Sequence, residues 1–430
     1  MSELRPGYQQ SDVGVIPKDW SAATIADVGR LQTGPFGTVL KASEYSDDHG
    51  VPLISVGEIK LGKIVLRPDT PVVDTRVVRR LPRYLIREGD ILFGRKGGVD
   101  RSALVSRQQD GWFLGSDGIR LRPSSEYASQ FLAFQFQTQR IQHWLLENSV
   151  GTTMPSMNEA VLSQLGFPIP STEQEQKAIV EALADADALI EGLEALISKK
   201  RDIKQGAVQD LLSGERRLPG FGGAWVSQLV GRIFDFGRSV PLSRAQLSTE
   251  NDVRYIHYGD IHTRLHIHLD FQKTSTPGAS QGLCASATPL KVGDWVFADA
   301  SEDYDGVAKA IEITRLPSDR YAVAGLHTIL LRERTHTFAP GFKGYLSYAP
   351  SFRSQVLRVA TGMKVFGISK AQMKAIELHF PPNLDEQRAI TTVLSDMGTE
   401  IAALEDKLAK ARAVKQGMMQ VLLTGEIRLI

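Results

Sequence analysis

PSTEQEQKAIVEALADADALIEGLEALISKKRDIKQGAVQDLLSGERRL, residues 170–218, is written a second time at residues 381–429 as PPNLDEQRAITTVLSDMGTEIAALEDKLAKARAVKQGMMQVLLTGEIRL. The offset is 211 throughout, without a gap, and 22 of the 49 positions are identical. The shared residues include Glu175/Glu386, Gln176/Gln387, Leu183/Leu394, Asp185/Asp396, Ile190/Ile401 and Glu194/Glu405. They are densest at the close, where Lys204-Gln205-Gly206 returns as Lys415-Gln416-Gly417 and Leu211-Leu212-Ser213-Gly214-Glu215 as Leu422-Leu423-Thr424-Gly425-Glu426. A repeat of this length governs every later reading of the fold.

Within each copy the apolar residues fall 4, 3, 4, 3 and 4 apart: Ile179, Leu183, Ala186, Ile190, Leu193, Ile197, and Ile390, Leu394, Met397, Ile401, Leu404, Leu408. This is the 3.5-residue seam of a coiled coil. Pro170 with Ser171 and Thr172, and Pro381-Pro382-Asn383, are start signals, and Gly214 and Gly425 sit where a C-terminal cap belongs. Each helix should run about 40 residues, roughly 60 Å at 1.5 Å per residue. Gly206 and Gly417, inside the pattern, point to a bend, a close helix contact or a fray. The two seams predict one antiparallel helix pair, with Leu183, Ile190, Leu193 and Ile197 facing Leu394, Ile401, Leu404 and Leu408. Two independent helices, each packed on its own domain, are the alternative.

Outside the repeat the two halves have diverged. Trp20 and Trp225 each follow a Pro/Gly-containing stretch. Val56-Gly57-Glu58-Ile59 is echoed by Tyr258-Gly259-Asp260-Ile261, and Glu88-Gly89-Asp90-Ile91-Leu92-Phe93 by Val292-Gly293-Asp294-Trp295-Val296-Phe297. Strand patterns fall at 51–56, 90–93, 118–121, 254–258, 294–297 and 327–331. Residues 130–147 read as one helix, with Phe131, Phe134, Ile141, Trp144 and Leu145 on one side. The chain is thus read as α+β: a first α/β domain at 1–169, a helical spacer at 170–218, a second α/β domain at 219–379 and a second spacer at 380–430. A pseudo-two-fold rod with one domain at each end follows from that order.

Composition sets limits on the chemistry. The 430 residues carry a net charge of +1, which excludes binding by bulk charge and leaves room for a local basic face. The single cysteine, Cys284, excludes a disulfide framework and fits a reducing compartment. No apolar run approaches the roughly 18–20 residues needed to cross a bilayer, and the first eight residues hold no signal core, so a cytoplasmic protein is expected. No GxxxxGK[ST] phosphate loop occurs. An amino-methyltransferase tetrad appears only reversed, as Phe380-Pro381-Pro382-Asn383. Phe113-Leu114-Gly115-Ser116-Asp117-Gly118 lacks the strand–turn–helix setting of a cofactor turn. His257, His262, His266 and His268 fit a strand with histidines on its wet face better than a metal site, and Ser301-Glu302-Asp303-Tyr304-Asp305 fits a solvated loop. No catalytic or metal-ligating set is expected.

With these words in order, the chain resembles the specificity subunit of Type I restriction–modification systems over essentially its whole length. The resemblance rests on Gly14-Val15-Ile16-Pro17-Lys18-Asp19-Trp20, on Gly34-Pro35-Phe36-Gly37 with Lys41, and on Glu175-Gln176 and Glu386-Gln387. It rests also on the two helix closings and on Thr361-Gly362-Met363-Lys364-Val365-Phe366-Gly367-Ile368-Ser369. It implies that each variable domain reads one half of a split, asymmetric double-stranded DNA site and that the helices act as a ruler. It implies two methylation subunits docked along the repeated segments and a restriction subunit joining them. Adenine methylation with S-adenosylmethionine would belong to the methylation partner, with no cofactor in this chain and no membrane contact.

DNA-contact candidates are loop arginines and lysines beside glycine, because glycine lets backbone approach phosphate and arginine forks onto guanine. Arg95-Lys96-Gly97-Gly98 with Arg101 leads in the first domain, with Lys41 and the basic stretch Arg76, Arg79, Arg80, Arg83 and Arg87 beside it. Arg238, Arg244, Lys309 and Lys364 are the candidates in the second. Each also fits an ordinary solvated surface cation. A scaffold of paired helices carrying duplicated adaptor domains, with no nucleic acid, is the competing reading.

Overall fold

The computed structural model describes residues 4–46, 49–151, 153–318 and 320–429. The outer edges of the first and last sequence segments, 1–3 and 430, lie outside the described residues. The repeated stretches form two helices, Glu173–Ser213 of 41 residues and Leu384–Leu422 of 39. Gly214 and Gly425 close them at φ +78° and +72°, the left-handed cap that a Cβ would strain. A Cβ at Gly206 or Gly417 would meet nothing within 4 Å, so neither glycine marks a close helix contact. None of the helices among the described residues is long and apolar enough to cross a membrane.

The chain divides into two compact units, residues 1–194 with 406–430, and residues 195–405. Each long helix gives one half to each unit. In the first unit the two halves run in opposite directions, with Asp187 paired to Lys415 and Glu194 to Arg412. In the second the direction is again opposed: Arg201 pairs with Glu405, Lys204 reaches Gly398, and Arg217 meets Glu386. The exposed pairs add a few tenths of a kcal/mol each; most of the stability comes from the apolar seam. Ile179, Leu183, Leu193, Ile197, Ile390, Leu394 and Ile401 are buried, and Ile190, Leu404 and Leu408 half-buried.

The ends of the helices sink into the globular cores. Ile179 and Leu183 share the first unit's core with Leu422 and Leu423 from the close of the other helix. Ile390 and Leu394 share the second unit's core with Leu211 and Leu212. Both alternatives from the sequence therefore hold in part: the helices pair, and each also packs on a domain.

The repeated Glu-Gln word does the same work twice. Glu175 is buried, accepts Trp20 Nε1–H at 3.1 Å, and is gripped through both oxygens by Arg428, which also holds Asp19 at 2.7 Å. Buried Glu386 is gripped in the same bidentate way by Arg217. Each guanidinium lies over a tryptophan ring, Arg428 over Trp20 at 5.6 Å and Arg217 over Trp225 at 5.7 Å. Gln176 donates to the Pro170 carbonyl and accepts Ala128 N–H; Gln387 donates to the Pro381 carbonyl and accepts Ala339 N–H. The tail that follows one helix thus locks the start of the other. The copies differ in detail: Arg217 donates to the Gly222 and Gly223 carbonyls where Arg428 holds Asp19, and Trp225 Nε1 is buried without a partner among the described residues.

In the first unit an antiparallel sheet runs Gly29–Thr33, Gly118–Pro123, Ile91–Gly94, Ser102–Leu104. A second, mixed sheet runs Phe113–Leu114, Val51–Ile54, Val72–Val73, Tyr45–Ser46. The other unit repeats the plan. Phe234–Phe236, Thr328–Glu333, Trp295–Ala298 and Ala310–Arg315 are antiparallel, with Ile267–Asp270 added in parallel. Gly278–Ala279, Val253–Ile256 and Ala322–Ala324 form the smaller sheet. The predicted strands are present within a few residues. Asp90, just before its strand, takes a bidentate Arg122, and Asp294 takes a bidentate Arg332, so the echoed Gly-Asp words build one corner twice.

Three readings need correction. Residues 130–147 are two helices, Ser129–Gln135 and Gln139–Glu147. Thr138 is extended and starts the second, and the Gln135 side chain is drawn inward to the Pro168 and Leu423 carbonyls. Tyr258 opens a short helix, Tyr258–Thr263, rather than ending a strand. His268 is not on a wet face: its Nε2 lies 2.7 Å from the Gly341 carbonyl and its ring packs edge-on against Tyr345.

Candidate nucleic-acid interface

One backbone frame is built in both units. In the first, Ile91–Gly94 ends at Arg95, whose N–H donates to Asp117 O and whose carbonyl accepts Met157 N–H, each at 2.8 Å. In the second, Trp295–Ala298 ends at Asp299, whose N–H donates to His327 O at 3.0 Å and whose carbonyl accepts Ile368 N–H at 2.8 Å. The loop that follows returns through Arg101, whose carbonyl accepts Gly94 N–H, and through Lys309, whose carbonyl accepts Ala298 N–H. A hairpin lies against each loop: Val150 bridges Ser156, and Ser156 bridges Lys96; Thr361 bridges Gly367, and Gly367 pairs with Ala300. The hairpin positions again differ by 211, so the repeat continues upstream of residue 170. Its identity there has faded to a few residues such as Gly151/Gly362. Both glycines have positive φ, +103° and +144°, which is why the letter survives while its neighbours change.

The side chains on this frame differ. Arg95 donates Nη1–H to Ser116 O at 3.1 Å, and its guanidinium lies 5.3 Å over Phe36, which is 59% exposed. A cation on an aromatic face is held flat, with its N–H fork presented edge-on. Lys96 is exposed and Arg101 half-buried beside it. At the matching place Asp299 Oδ1 meets His327 Nδ1 at 3.1 Å. His327 sits at φ +51° and packs edge-on against Tyr258. Burial pushes the Asp299 carboxyl above its usual range, and His327 pulls it part of the way back. The acidic stretch after it is not simply solvated: Arg353 donates to the Tyr304 and Asp305 carbonyls, and Tyr304 stacks on Phe366 at 3.8 Å.

The remaining candidates fall in several settings. Lys41 is exposed at the start of the turn Ala42–Glu44. Arg79 and Arg80 are exposed at the end of Thr75–Arg80, with Arg80 bound to Glu44 at 2.7 Å. Arg238 and Lys364 are exposed, the latter on the hairpin tip beside Met363, and Lys309 is half-buried in the frame. Arg244 lies elsewhere. Both its terminal nitrogens bind the buried Asp260, which Arg264 also holds. Burial raises the Asp260 pKa, but the two guanidinium groups outweigh it and hold the carboxyl below its ordinary value. The first unit's frame thus carries Arg95, Lys96 and Arg101, the second unit's frame carries Lys309 and Lys364, and Arg244 lies in a structural ion cluster. Phe36, Asp299, His327 and Tyr258 were missed by a search for basic loops.

A family model described as the Type I restriction modification DNA specificity domain matches residues 17–199. Over its full length the chain resembles the putative type I restriction enzyme MjaX specificity subunit of Methanocaldococcus jannaschii: 23% identity over 98% of this chain and 96% of that one. The MjaVIII specificity subunit of the same organism is 24% identical over 49% of each chain. The match to MjaIX, at 25%, spans 41% of that protein; for these two, the chain spans about half the length of the relative or less. Among solved structures, the Type I restriction-modification S subunit from M. genitalium aligns over 98% of this chain and 99% of its own, with a TM-score of 0.56 at 15% identity. A chain from a structure of complex assembly and conformational transition in the type I system aligns over 96% and 99%, with a TM-score of 0.57 at 19% identity. The repeated helices, the doubled frame and these likenesses point one way: residues 17–199 match the Type I restriction modification DNA specificity domain, and the chain as a whole is similar to specificity subunits of Type I restriction–modification systems.

Proposed function

We propose that this chain is the non-catalytic, cytoplasmic subunit that reads a bipartite, asymmetric duplex DNA site for a Type I complex. One observation supports this most: the same loop frame occurs twice with the same backbone bonds and opposite chemistry, Arg95 in one copy and Asp299 in the other. A duplicated reader with unlike side chains suits a target whose halves differ. Lys96, Arg101, Lys309 and Lys364, with Lys41, Arg79, Arg80 and Arg238 outside the frame, supply phosphate and base contacts. Phosphate contacts set the register and base edges set the sequence. Two methylation subunits dock along the repeated segments and bring the S-adenosylmethionine, a restriction subunit joins them, and the helices set the gap between half-sites. A scaffold without nucleic acid would give the paired helices but no reason for cations and glycines around a twice-built frame.

The test is a gel shift with the chain assembled with its methylation subunits. The complex is expected to bind one split duplex tightly, while duplexes carrying either half-site alone compete no better than random DNA. Equal binding of all duplexes would rule the reading out.

A further inference from the structure

We propose that the residue ending the central strand, Arg95 in the first unit and Asp299 in the second, is the position at which the two half-sites are made to demand opposite base-edge chemistry. This rests on the DNA-reading role proposed above. Both residues occupy one place by three independent marks. Their N–H groups donate to the residue just before Gly118–Pro123 or Thr328–Glu333. Their carbonyls accept from Met157 and Ile368, residues 211 apart. Each is followed by a residue paired to the neighbouring hairpin, Lys96 to Ser156 and Ala300 to Gly367. Equivalent backbone places the two side chains on the same edge of their frames, so the chemistry differs while the place does not.

The two side chains are both oriented, and with opposite sense. Arg95 can only donate; Phe36 below and the Ser116 carbonyl beside it fix the plane of its fork. None of the described carboxylates forms an ion pair with Arg95. In the major groove such a fork matches the O6 and N7 acceptors of guanine. When ionised, Asp299 can only accept. Its Oδ1 is taken by His327 Nδ1 and the Lys370 charge lies near enough to act on the carboxyl, while no hydrogen bond to Oδ2 is formed among the described residues. That oxygen suits an exocyclic amine, cytosine N4 or adenine N6, and repels the acceptor edges of guanine and the thymine O4. His327, in a left-handed conformation that non-glycine residues seldom adopt, positions the carboxylate. The first half-site should therefore hold a guanine facing Arg95, and the second an amino-bearing base facing Asp299.

The experiment presents the assembled complex, chain plus methylation subunits, with a duplex library randomised over both half-sites, and sequences the bound and methylated fractions. Asp299→Asn keeps the shape but offers an amide donor. It should relax discrimination at one base pair of one half-site by about 5- to 150-fold and leave the other half unchanged. Asp299→Arg should move that base pair towards guanine, and Arg95→Gln should relax a single position in the opposite half. If Asp299→Arg fails to fold, the near-isosteric Asp299→Asn decides alone. Unchanged preferences in Asp299→Asn and Arg95→Gln, with a wild-type complex that selects a split site, would overturn this inference and leave the reading role standing. A wild-type complex with no split preference would remove both.

Discussion

Replacing Arg428 by glutamine is expected to destabilise the first unit by about 3–5 kcal/mol, because it leaves the Glu175 carboxylate buried with its charge uncompensated. Glu175 is 2% exposed and takes both nitrogens of its bidentate grip from Arg428; Trp20 Nε1 alone would remain. A buried ion pair adds little over a well-packed apolar pair, but breaking one is costly. For a unit of this size, the loss corresponds to a fall in Tm of roughly 6–20 °C, read by calorimetry. Glu175→Gln in the same chain removes the orphaned charge and should return part of the loss, so the double-mutant cycle isolates the pair. An Arg428→Gln protein that melts with the wild type would mean that the tail does not lock the helix start.

The second large effect is expected in the seam. Leu394 is fully buried in a cluster that includes Trp295, Phe338, Phe342 and Leu212, and Leu394→Ala should cost about 2–5 kcal/mol through lost transfer energy and an unfilled cavity. Leu404 stands on the same seam but is half-buried, so Leu404→Ala should cost distinctly less. Equal losses at both, measured by denaturant unfolding with unchanged m-values, would mean that the seam is uniformly packed and that the cores do not hold the helix ends.

The helices were legible because their signal is local and periodic: a 3.5-residue seam from Ile179 to Ile197, written again 211 residues on, needs no tertiary knowledge. The clasp at Glu175 was not, since its partner Arg428 lies 253 residues away. Arg217/Arg428 is one of the repeat's identical positions, which was a usable sign, but nothing local says that each arginine serves the other copy's glutamate. The break at Thr138 escaped because the apolar face from Phe131 to Leu145 is nearly continuous; the break is marked by the extended Thr138, whose hydroxyl donates to the Gln135 carbonyl, and by the Gln135 side chain turned to the Pro168 and Leu423 carbonyls. The candidate site was legible only in its basic residues. Basic residues with glycine marked Arg95, Lys96 and Arg101, yet the same criterion selected Arg244, which Asp260 holds in place. Asp299 was passed over because an acidic residue offers no attraction to phosphate; only the frame's backbone bonds show that it stands where Arg95 stands.

The central claim is that two unlike readers stand on one doubled scaffold, each responsible for half of the target. The most direct measurement is adenine-methylation sequencing of DNA from cells carrying the methylation subunits with this chain, or with this chain after residues 225–375 are exchanged for those of another family member. The account predicts that the wild type marks one bipartite motif and that the exchange rewrites one half while the other stays as it was. Altered sequence in both halves, or no change in either, would contradict it.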